Sequence, residues 1–359
     1  MLHKDKYHAI GLMSGSSLDG LDICYVQFQQ DDAHFQYNIL AADCNLYDDN
    51  FRNTLRQAPN LTAFELAQLH TKVGKYFGEL TQQFIAKNKI HNLDFICSHG
   101  QTIFHQPALS FTSQIGCGAQ IAAQTQCKVI CDLRSSDVAV GGQGAPIVPI
   151  AEKYLFPQYS IFLNLGGIAN ISFHDENTIL AYDVCAANTL LNFLSKQKKL
   201  DYDNDGNLAR SGKIIPELLD EFNAIEFCKQ TAPKSLGTEH VFEHWIALTQ
   251  KYNQCIEDKL ATAVEHIAIQ IKNSILSHNT SYNSTILISG GGALNTFLIE
   301  RIQQQTGIKT VISDILTIQY KEALAIAFFG LLRLLELPNC LASVTGAKKD
   351  VIGGAIYLP

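Results

Sequence analysis

A short segment near the start of the sequence, SGSSLDGLD, combines glycine, hydroxyl and carboxylate groups. Gly15 and Gly20 allow a tight backbone turn, and the serines offer hydroxyls. Asp19 and Asp22 supply carboxylates that could hold a hydrated Mg²⁺. The segment lacks the lysine of a Walker A loop and does not match GxGxxG. Two interpretations stay open, an ordinary hairpin turn and a phosphate-binding loop.

Two later glycine-rich segments raise the same question. NLGGIAN, which begins at Asn164, places Gly166 and Gly167 between two apolar runs. In ISGGGALN, the glycines 290–292 end a strand-like run and a helix-like segment follows. A helix start of this kind lets backbone amides approach an anion, although glycine is also required wherever a strand and a helix pack closely.

Polar side chains gather where two apolar runs end. SHGQT contributes His99, Gln101 and Thr102, and CDLRSSD contributes Arg134 and Asp137. Such a set of donors and acceptors suits a sugar. The same residues would also serve as structural hydrogen bonds or a surface ion pair.

One aspartate follows a strand-like run with few charges. Asp183, in LAYDVCAAN, ends an apolar segment, and carboxylates are seldom buried without a role, which makes it a candidate general base. The alternative is that it caps the helix predicted for AANTLLNFL.

The acidic segment DYDNDGNLARSG resembles a calcium-binding EF-hand loop at its first, third, fifth and sixth positions. The twelfth position, which requires a bidentate glutamate, is Gly212. We therefore interpret this segment as a solvated loop before a helix.

The first half of the chain contains the elements of an α/β domain. Hydrophobic alternation near residues 7–14, 22–29 and 35–46 predicts a three-stranded meander. Short apolar runs at 93–100 and 128–133, separated by a helix-like segment, predict parallel strands with polar groups at their carboxyl ends. Between the meander and the first of these runs, apolar residues recur three or four apart and predict a helix with a core-facing stripe of Leu66, Leu69, Val73, Phe77, Leu80 and Phe84.

The second half repeats this order, with a glycine hairpin first and α/β units later. Long helical segments are predicted at about 238–277, followed by the strands of STILISGGGALN and KTVISD and by the helix of KEALAIAFFGLLRLLEL. We therefore expect two similar α/β domains with a cleft between them.

Composition narrows the possible partners and location. The net charge of -7 and the lack of basic runs argue against nucleic acid. Ten cysteines without a CxxC pair favour reduced thiols. The start of the chain does not resemble a signal peptide, and Arg333 interrupts the longest apolar run, which we judge too short to span a bilayer. A soluble cytoplasmic protein is expected.

Taken in order, nine motifs resemble those of the anhydro-N-acetylmuramic acid kinases, and the resemblance covers essentially the whole chain. The motifs are GLMSGSSLDGLD, SHGQTIFHQP, DLRSSDVAVGGQGAPIVP, FLNLGGIANISF, YDVCAAN, PKSLG, ISGGGALN, KEALAIAF and SVTGA. This family belongs to the superfamily of sugar kinases, Hsp70 and actin. The resemblance implies two RNase H-like (actin-like ATPase) α/β domains with a central cleft for ATP and substrate, and a homodimer. We place the domains at residues 1–135, completed by 338–359, and at 136–337.

The resemblance also implies roles for single residues. The first ATP-phosphate loop comprises Gly15, Ser16, Ser17, Leu18, Asp19, Gly20, Leu21 and Asp22, with Asp19 and Asp22 holding Mg²⁺ through water. The second phosphate hairpin contains Asn164, Gly166 and Gly167, and the nucleotide-side turn contains Gly290, Gly291 and Gly292. The residues assigned to the sugar are His99, Gln101, Thr102, Arg134, Asp137, Asn188 and Glu322. Asp183 matches the catalytic base.

The chemistry implied by the family couples ring opening to phosphorylation in the recycling of cell-wall fragments. In 1,6-anhydro-N-acetylmuramic acid, O6 is locked in an acetal with C1. Asp183 would deprotonate a water that attacks C1, as in an inverting glycosidase, while O6 accepts the γ-phosphoryl group of MgATP.

Two departures from the family pattern stand out. Ser16 replaces a threonine, and Cys185-Ala186-Ala187 replaces Gly-Pro-Gly before Asn188. Because two glycines are lost, we expect this segment to follow a more helical path. Two alternatives stay open, a kinase for another sugar and a catalytically silent nucleotide or sugar sensor.

Overall fold

The computed structural model describes residues 4–15, 17–31, 34–175, 178–232, 234–278 and 285–359. Ser16 therefore lies outside the described residues. The chain divides into two compact units, unit 1 formed by Met1–Pro157 with Tyr320–Pro359 and unit 2 formed by Gln158–Gln319. These bounds differ from the expected ones, because residues 136–157 and 320–337 belong to unit 1.

Strands and helices alternate along the chain. Up to residue 157 they are β1 Lys6–Ser14, β2 Gly20–Asp31, β3 His34–Leu46, α1 Asp49–Gln57, α2 Ala63–Lys87, β4 Phe95–Ser98, β5 Gln101–Gln106, β6 Phe111–Ile115, α3 Gly118–Thr125, β7 Val129–Cys131, α4 Ser135–Ala139 and α5 Val148–Leu155. Next come β8 Ile161–Leu165, β9 Ile168–His174, β10 Ile179–Ala186, α6 Asn188–Lys196, α7 Asn207–Ser211, α8 Pro216–Ala224, α9 Glu226–Lys229, α10 Thr238–His240, α11 Ala247–Gln250 and α12 Ile256–Leu276. The last are β11 Thr285–Ser289, α13 Thr296–Thr306, β12 Lys309–Ile312, α14 Ile315–Leu334, α15 Ala342–Thr345 and β13 Ala355–Tyr357.

Unit 1 is built on a six-stranded sheet of order β13-β7-β4-β1-β2-β3. The strands β1, β2 and β3 form the predicted antiparallel meander. The strand β4 lies parallel to β7, as predicted, and also parallel to β1. Together with the sheet of unit 2, this confirms the α/β class. The hairpin β5–β6 was not predicted, because β5 begins inside the polar SHGQT segment and both strands bury few side chains.

The helix α2 shows how local sequence fixes an element of unit 1. Thr62 and Glu65 form a capping box at its start. Lys87 lies in its last turn, where its positive charge interacts favourably with the negative end of the helix dipole. Leu69, Val73, Phe77 and Phe84 of the predicted stripe are buried, and Leu66 and Leu80 pack against the same core. The predicted amphipathic helix is confirmed.

Packing explains why α5 and the last part of α14 belong to unit 1. A side chain at Gly11 of β1 would collide with the carbonyl oxygen of Ala323, so this glycine lets α14 lie directly on the strand. The rings of Phe35, Tyr154 and Phe328 meet at centroid distances of 5.1 to 5.9 Å. These contacts tie both helices to the meander.

The helix α14 is longer than the apolar run suggested. At 20 residues it is long and apolar enough to cross a membrane, whereas we expected the run to be too short. In the structure 72% of its apolar stretch is buried inside the protein, as in the core helix of a globular domain.

Unit 2 is built on a five-stranded sheet of order β10-β9-β8-β11-β12. The strands β8 and β9 form the predicted glycine hairpin, and β10 pairs antiparallel with β9. The strand β11 lies parallel to β8 and β12. The helical region predicted at 238–277 is interrupted. A single π-helical stretch, Val241–Ile246, joins α10 to α11, and a loop at 251–255 precedes α12.

Candidate active site

A row of polar residues crosses the sheet of unit 2. Ser289 of β11 pairs with Asn164 of β8, Asn164 pairs with Asn170 of β9, and Asn170 pairs with Asp183 of β10. Directly paired residues present their side chains to the same face of a sheet. The row therefore connects the glycine turns after β8 and β11 with the aspartate of β10.

Hydrogen bonds hold the carboxylate of Asp183 from two sides. Asn170 Nδ2 donates to Oδ1 at 2.9 Å, and Oδ2 accepts from the backbone N–H of Leu236 at 2.8 Å and from Ser235 Oγ at 3.2 Å. The backbone N–H of Asp183 donates to the Lys234 carbonyl at 3.1 Å. The half-buried carboxylate is thus fixed in orientation yet keeps access to solvent.

The alternative role for Asp183, a helix cap, does not hold. The N-cap residue of α6 is Ala187, and no side chain caps this helix. The segment of Cys185, Ala186 and Ala187 does not follow the helical path that we expected. Cys185 and Ala186 instead extend β10 beyond a β-bulge after Asp183. Both side chains are small and fully buried, so their packing stabilises this extension of the strand.

The glycine turns of unit 2 lie close to one another. Gly290 has a φ of +81°, and a Cβ atom there would lie 2.5 Å from Asn164 Oδ1 and 2.8 Å from the Leu165 carbonyl. A Cβ atom at Gly167 would lie 2.6 Å from Thr189 Oγ1. These glycines are required sterically, and Gly167 is exposed.

Asn188 lies among these turns. Its Nδ2 donates to the Leu165 carbonyl at 2.9 Å, and its backbone N–H donates to the Gly166 carbonyl at 3.1 Å. A Cβ atom at Gly292 would lie 3.1 Å from Asn188 Oδ1, and one at Gly291 would lie 3.9 Å from its Nδ2. The structure groups Asn188 with the predicted phosphate turns, whereas we expected it on the sugar side.

The first loop, in unit 1, turns in a different way than predicted. Its positive φ of 59° falls on Leu18, which donates its backbone N–H to the Gly15 carbonyl at 3.3 Å. Gly20 is needed for another reason, since a Cβ atom there would lie 2.6 Å from the Asn45 carbonyl of the neighbouring β3. Ser17 is exposed. A non-glycine residue in this conformation marks a strained loop.

The carboxylates of this loop lie near a third one. The pKa of Asp22 is raised, first by burial and then by the charge of Asp19, while a hydrogen bond from Cys44 opposes the shift. The pKa of Glu322 is also raised, first by burial of its carboxyl group and then by the charge of Asp22, although part of the residue is exposed. Over the residues that the structure describes, no three His, Cys, Asp or Glu side chains form a metal-binding group.

Arg134 and His99 form the centre of the predicted sugar set. Arg134 donates from Nε at 3.0 Å and from Nη2 at 2.8 Å to His99 Nε2, and from Nη1 to the Gly144 carbonyl at 2.5 Å. The His99 ring is buried, and its Nδ1 faces the Gly100 carbonyl at 3.0 Å. Burial first, and then the Arg134 charge, lower the pKa of His99 to about 3. His99 is therefore neutral, and its Nε2 accepts the hydrogen bonds of Arg134.

Two other predicted sugar residues are also enclosed. Asp137 is fully buried, and its oxygens accept from the Gly144 N–H and the Thr345 hydroxyl, each at 2.7 Å. Gln101 is 2% exposed, and its Oε1 accepts from Ser14 Oγ at 2.6 Å. These two buried side chains therefore hold neighbouring residues in place through hydrogen bonds.

Of the predicted sugar set, Thr102, Arg134 and Asn188 keep partial exposure, and Glu322 is exposed. The Oγ1 of Thr102 accepts from Gln114 Nε2 at 3.3 Å.

The acidic segment without the EF-hand glutamate is a loop before a helix, as interpreted. The carboxylate of Asp203 accepts the backbone N–H groups of Leu208 and Ala209 at 2.8 and 2.9 Å. It therefore stabilises the start of α7, and the short 3₁₀ turn before it has Gly206 at a φ of +68°.

Sequence reasoning missed the residues that act through others. Asn170, Ser235 and Leu236 hold Asp183, and Thr345 holds Asp137. Asn170 lies inside the quoted NLGGIAN motif, so its register opposite Asp183 could have identified it. Thr345 lies more than 200 residues from its partner, and no local pattern signals that contact.

The two α/β units, with glycine turns and an oriented carboxylate in unit 2, give the α/β architecture, and the sequence matches that follow identify the class as a phosphotransferase. A family model described as anhydro-N-acetylmuramic acid kinase matches residues 7–359. The chain is 35% identical over 365 residues to the anhydro-N-acetylmuramic acid kinase of Pasteurella multocida, covering 97% of this chain and 96% of the relative. It is 33% identical to that of Vibrio vulnificus strain CMCP6, with 97% of each covered. The chain belongs to the anhydro-N-acetylmuramic acid kinase family, and the resemblance carried by its motifs is confirmed.

Similarity to solved structures is weaker. Component A of (R)-2-hydroxyglutaryl-CoA dehydratase from Acidaminococcus fermentans is 12% identical with a TM-score of 0.48, covering 90% of this chain and 97% of that one. The family assignment rests on the sequence matches.

Proposed function

We propose that this kinase uses MgATP to open the 1,6-anhydro ring of anhydro-N-acetylmuramic acid and to phosphorylate O6, giving N-acetylmuramic acid 6-phosphate. The observation that carries the proposal is the carboxylate of Asp183, which stands on the polar row that leads to the glycine turns and is held by three donors, Asn170 of the same row and the loop residues Ser235 and Leu236. The names of the relatives support the same reaction. By this family assignment we also propose a cytoplasmic enzyme of cell-wall recycling that works as a homodimer and has no nucleic acid or membrane partner.

In the proposed reaction Asp183 accepts a proton from the attacking water. The water oxygen bonds to C1 as the C1–O6 bond breaks, and O6 bonds to the γ-phosphorus as ADP leaves. Because the phosphoryl group takes the electron pair of O6, the reaction needs no general acid, and one carboxylate suffices. The hydrogen bonds from Asn170 and Leu236 aim the carboxylate and so reduce the reorganisation needed for proton transfer.

For the nucleotide, we propose that the phosphates bind to backbone N–H groups at Gly15–Asp22, at Gly166 with Gly167, and at Gly290–Gly292. Close approach without a Cβ atom favours such contacts. The Asp19 and Asp22 carboxylates fit Mg²⁺, because oxygen donors suit this ion and a cation would offset both the burial and the Asp19 charge that raise the pKa of Asp22. When bound, Mg²⁺ would neutralise phosphate charge.

The other candidate, a silent sensor, rested on the altered segment after the base. That segment continues β10 and leaves Asp183 with all of its partners, so no observation favours a sensor.

The substitution Asp183→Asn tests the proposal. It removes the proton acceptor and keeps the shape, so we expect turnover to fall by about 10³-fold while ATP affinity stays within about twofold. Steady-state kinetics and calorimetry measure the two effects. Asp201→Asn, at an exposed aspartate of the same unit, is the matched control and should behave as wild type. A near-normal rate for Asp183→Asn would eliminate Asp183 as the base.

A further inference from the structure

A buried tyrosine of unit 1 contacts both ends of the first glycine loop. Tyr47 follows directly on β3, and its backbone N–H donates to the Asp19 carbonyl at 3.0 Å. Its hydroxyl oxygen lies 2.7 Å from that of Ser14, the last residue of β1. The pairing of β1 with β2 ends at Ser14 and Leu21, so residues 15–20 lie outside it. Tyr47 therefore connects the start of this loop with its end.

The hydrogen bonds of Ser14 determine which hydroxyl donates. A serine has one hydroxyl hydrogen, and Ser14 donates it to Oε1 of Gln101 at 2.6 Å, while Nε2 of Gln101 donates to the Thr102 carbonyl at 3.4 Å. Tyr47 must then donate to Ser14, and burial, which raises the pKa of Tyr47, keeps its hydroxyl protonated. Tyr47 and Ser14 are each 1% exposed, so solvent does not compete for this chain of hydrogen bonds.

The ring and the hydroxyl of Tyr47 have different contacts. The ring packs edge-on against Phe51 at a centroid distance of 4.9 Å and lies 6.3 Å from the ring of Tyr76, within the core of unit 1. A phenylalanine would supply the same packing. The hydroxyl is the group that reaches Ser14, so core packing alone does not account for a tyrosine here.

The conformation of the loop requires support from outside it. Leu18 has a φ of +59°, and its backbone N–H donates to the Gly15 carbonyl at 3.3 Å. A non-glycine residue in this left-handed conformation is unfavourable and persists only where the surrounding structure enforces it. Backbone amides stabilise an anion best when they are already directed toward it. Contacts that fix both ends of the loop therefore reduce the reorganisation needed to bind phosphate.

We propose that Tyr47 is a positioning residue for the nucleotide, and that its contacts with Ser14 and Asp19 hold the first loop in the conformation that binds the phosphates of ATP. This inference rests on the proposed function, in which the amides of that loop contact the nucleotide. The bond to the Asp19 carbonyl also fixes the backbone that carries a carboxylate assigned to Mg²⁺. Tyr47 is buried and acts through these neighbours.

The substitution Tyr47→Phe tests this role, because it keeps the ring and removes only the hydroxyl. We expect the Kd for MgATP, measured by calorimetry, to rise by about tenfold. The inhibition constant of adenosine, which lacks phosphates, and the KM for the sugar should both stay within about twofold of wild type. General damage to the fold would instead weaken adenosine, sugar and MgATP together.

Tyr25→Phe is the matched control. Tyr25 is another buried tyrosine of unit 1, and its hydroxyl donates to the Asn92 carbonyl at 2.7 Å, a bond as short as that of Tyr47. Thermal melting should show a similar loss of stability in both variants, whereas Tyr25→Phe should leave the Kd for MgATP unchanged.

Ser14→Ala removes the middle of the chain and gives a second test, which decides alone should Tyr47→Phe fail to fold. It should also raise the Kd for MgATP by about tenfold, and the double variant should bind no more weakly than the weaker single one, since both changes break one chain. Unchanged MgATP affinity, an equal loss for adenosine, or additive losses would overturn the inference while the kinase function stands. A wild-type protein that neither binds MgATP nor turns over the sugar would overturn the proposed function, and this inference with it.

Discussion

Asn170 and Ser235 are the side chains that orient Asp183, and they should contribute unequally. Among the described residues, Asn170 is the one donor to Oδ1, at 2.9 Å, whereas Ser235, at 3.2 Å, shares Oδ2 with the Leu236 N–H. We expect Asn170→Ala to lower kcat by about tenfold and Ser235→Ala by about threefold, because a misaligned base loses proximity.

Steady-state kinetics with both substrates tests this order. The KM for ATP should stay within about twofold of wild type in both variants, since neither side chain is assigned to the nucleotide. A larger effect for Ser235→Ala, or an effect on KM alone, would contradict the orienting role.

For single residues, the sequence predicted which side chains belong to the site better than it predicted the role of each one. Asp183 stood out because a carboxylate ended an apolar run, and its contacts support that choice. His99 and Asp137 also stood out, yet both are buried behind Arg134 or its loop. Whether a polar side chain faces a ligand or supports a neighbour depends on tertiary packing, which a motif does not contain.

Among the structural elements, the turn after β11 offers the clearest test of the phosphate sites. Gly290→Ala combines an unfavourable φ of +81° with collisions against Asn164 and Leu165. We expect it to lower the free energy of unfolding by about 1 to 3 kcal/mol and to weaken ATP binding by about tenfold.

Gly307→Ala separates these effects, because Gly307 has a φ of +69° and no atom within 4 Å of the added Cβ. That variant should show the backbone cost and leave ATP affinity unchanged. Calorimetric titration with ATP and denaturant melts measure both quantities, and equal ATP affinities in the two variants would count against a nucleotide role for this turn.

The predicted elements succeeded where hydrophobic periodicity was strong. The meander, α2 and the parallel strands are such cases. The prediction for Cys185 to Ala187 was wrong because it considered backbone propensity alone. Pairing with β9 keeps Cys185 and Ala186 extended. The hairpin β5–β6 lacked a buried face and hence a pattern.

For the whole molecule, buried neutral histidines predict sensitivity to acid. Burial lowers the pKa of His99 in unit 1 and of His266 in unit 2 to about 3. The unfolded chain then binds more protons than the folded one below about pH 6.5, so stability is complete above that pH and is lost as the pH falls toward 3. Each histidine should cost about 2 kcal/mol of unfolding free energy at about pH 5.

Urea unfolding at about pH 7.5 and about pH 5 measures this loss. His99→Gln, which keeps an acceptor for Arg134, should remove about half of it. A free energy of unfolding that is the same at both pH values would show that these histidines are not held neutral.

The division into units shows a further limit of sequence reasoning. The two α/β halves were predictable from the repeated order of hairpins and α/β elements, but their bounds were not. The helix α5 and the last part of α14 join unit 1 through long-range packing on β1 and β3, such as that of Phe328 on Phe35. Contacts of that range leave no local pattern.

The central claim is that one reaction opens the anhydro ring and phosphorylates O6. Incubating the purified protein with MgATP and anhydro-N-acetylmuramic acid in ¹⁸O-labelled water, with immediate mass and NMR analysis, tests it most directly. We predict a sugar 6-phosphate that carries one ¹⁸O at C1 and forms first as the α-anomer, since attack opposite the breaking C1–O6 bond inverts C1. ADP release without sugar phosphate, or a phosphorylated product that retains the anhydro ring, would contradict the account.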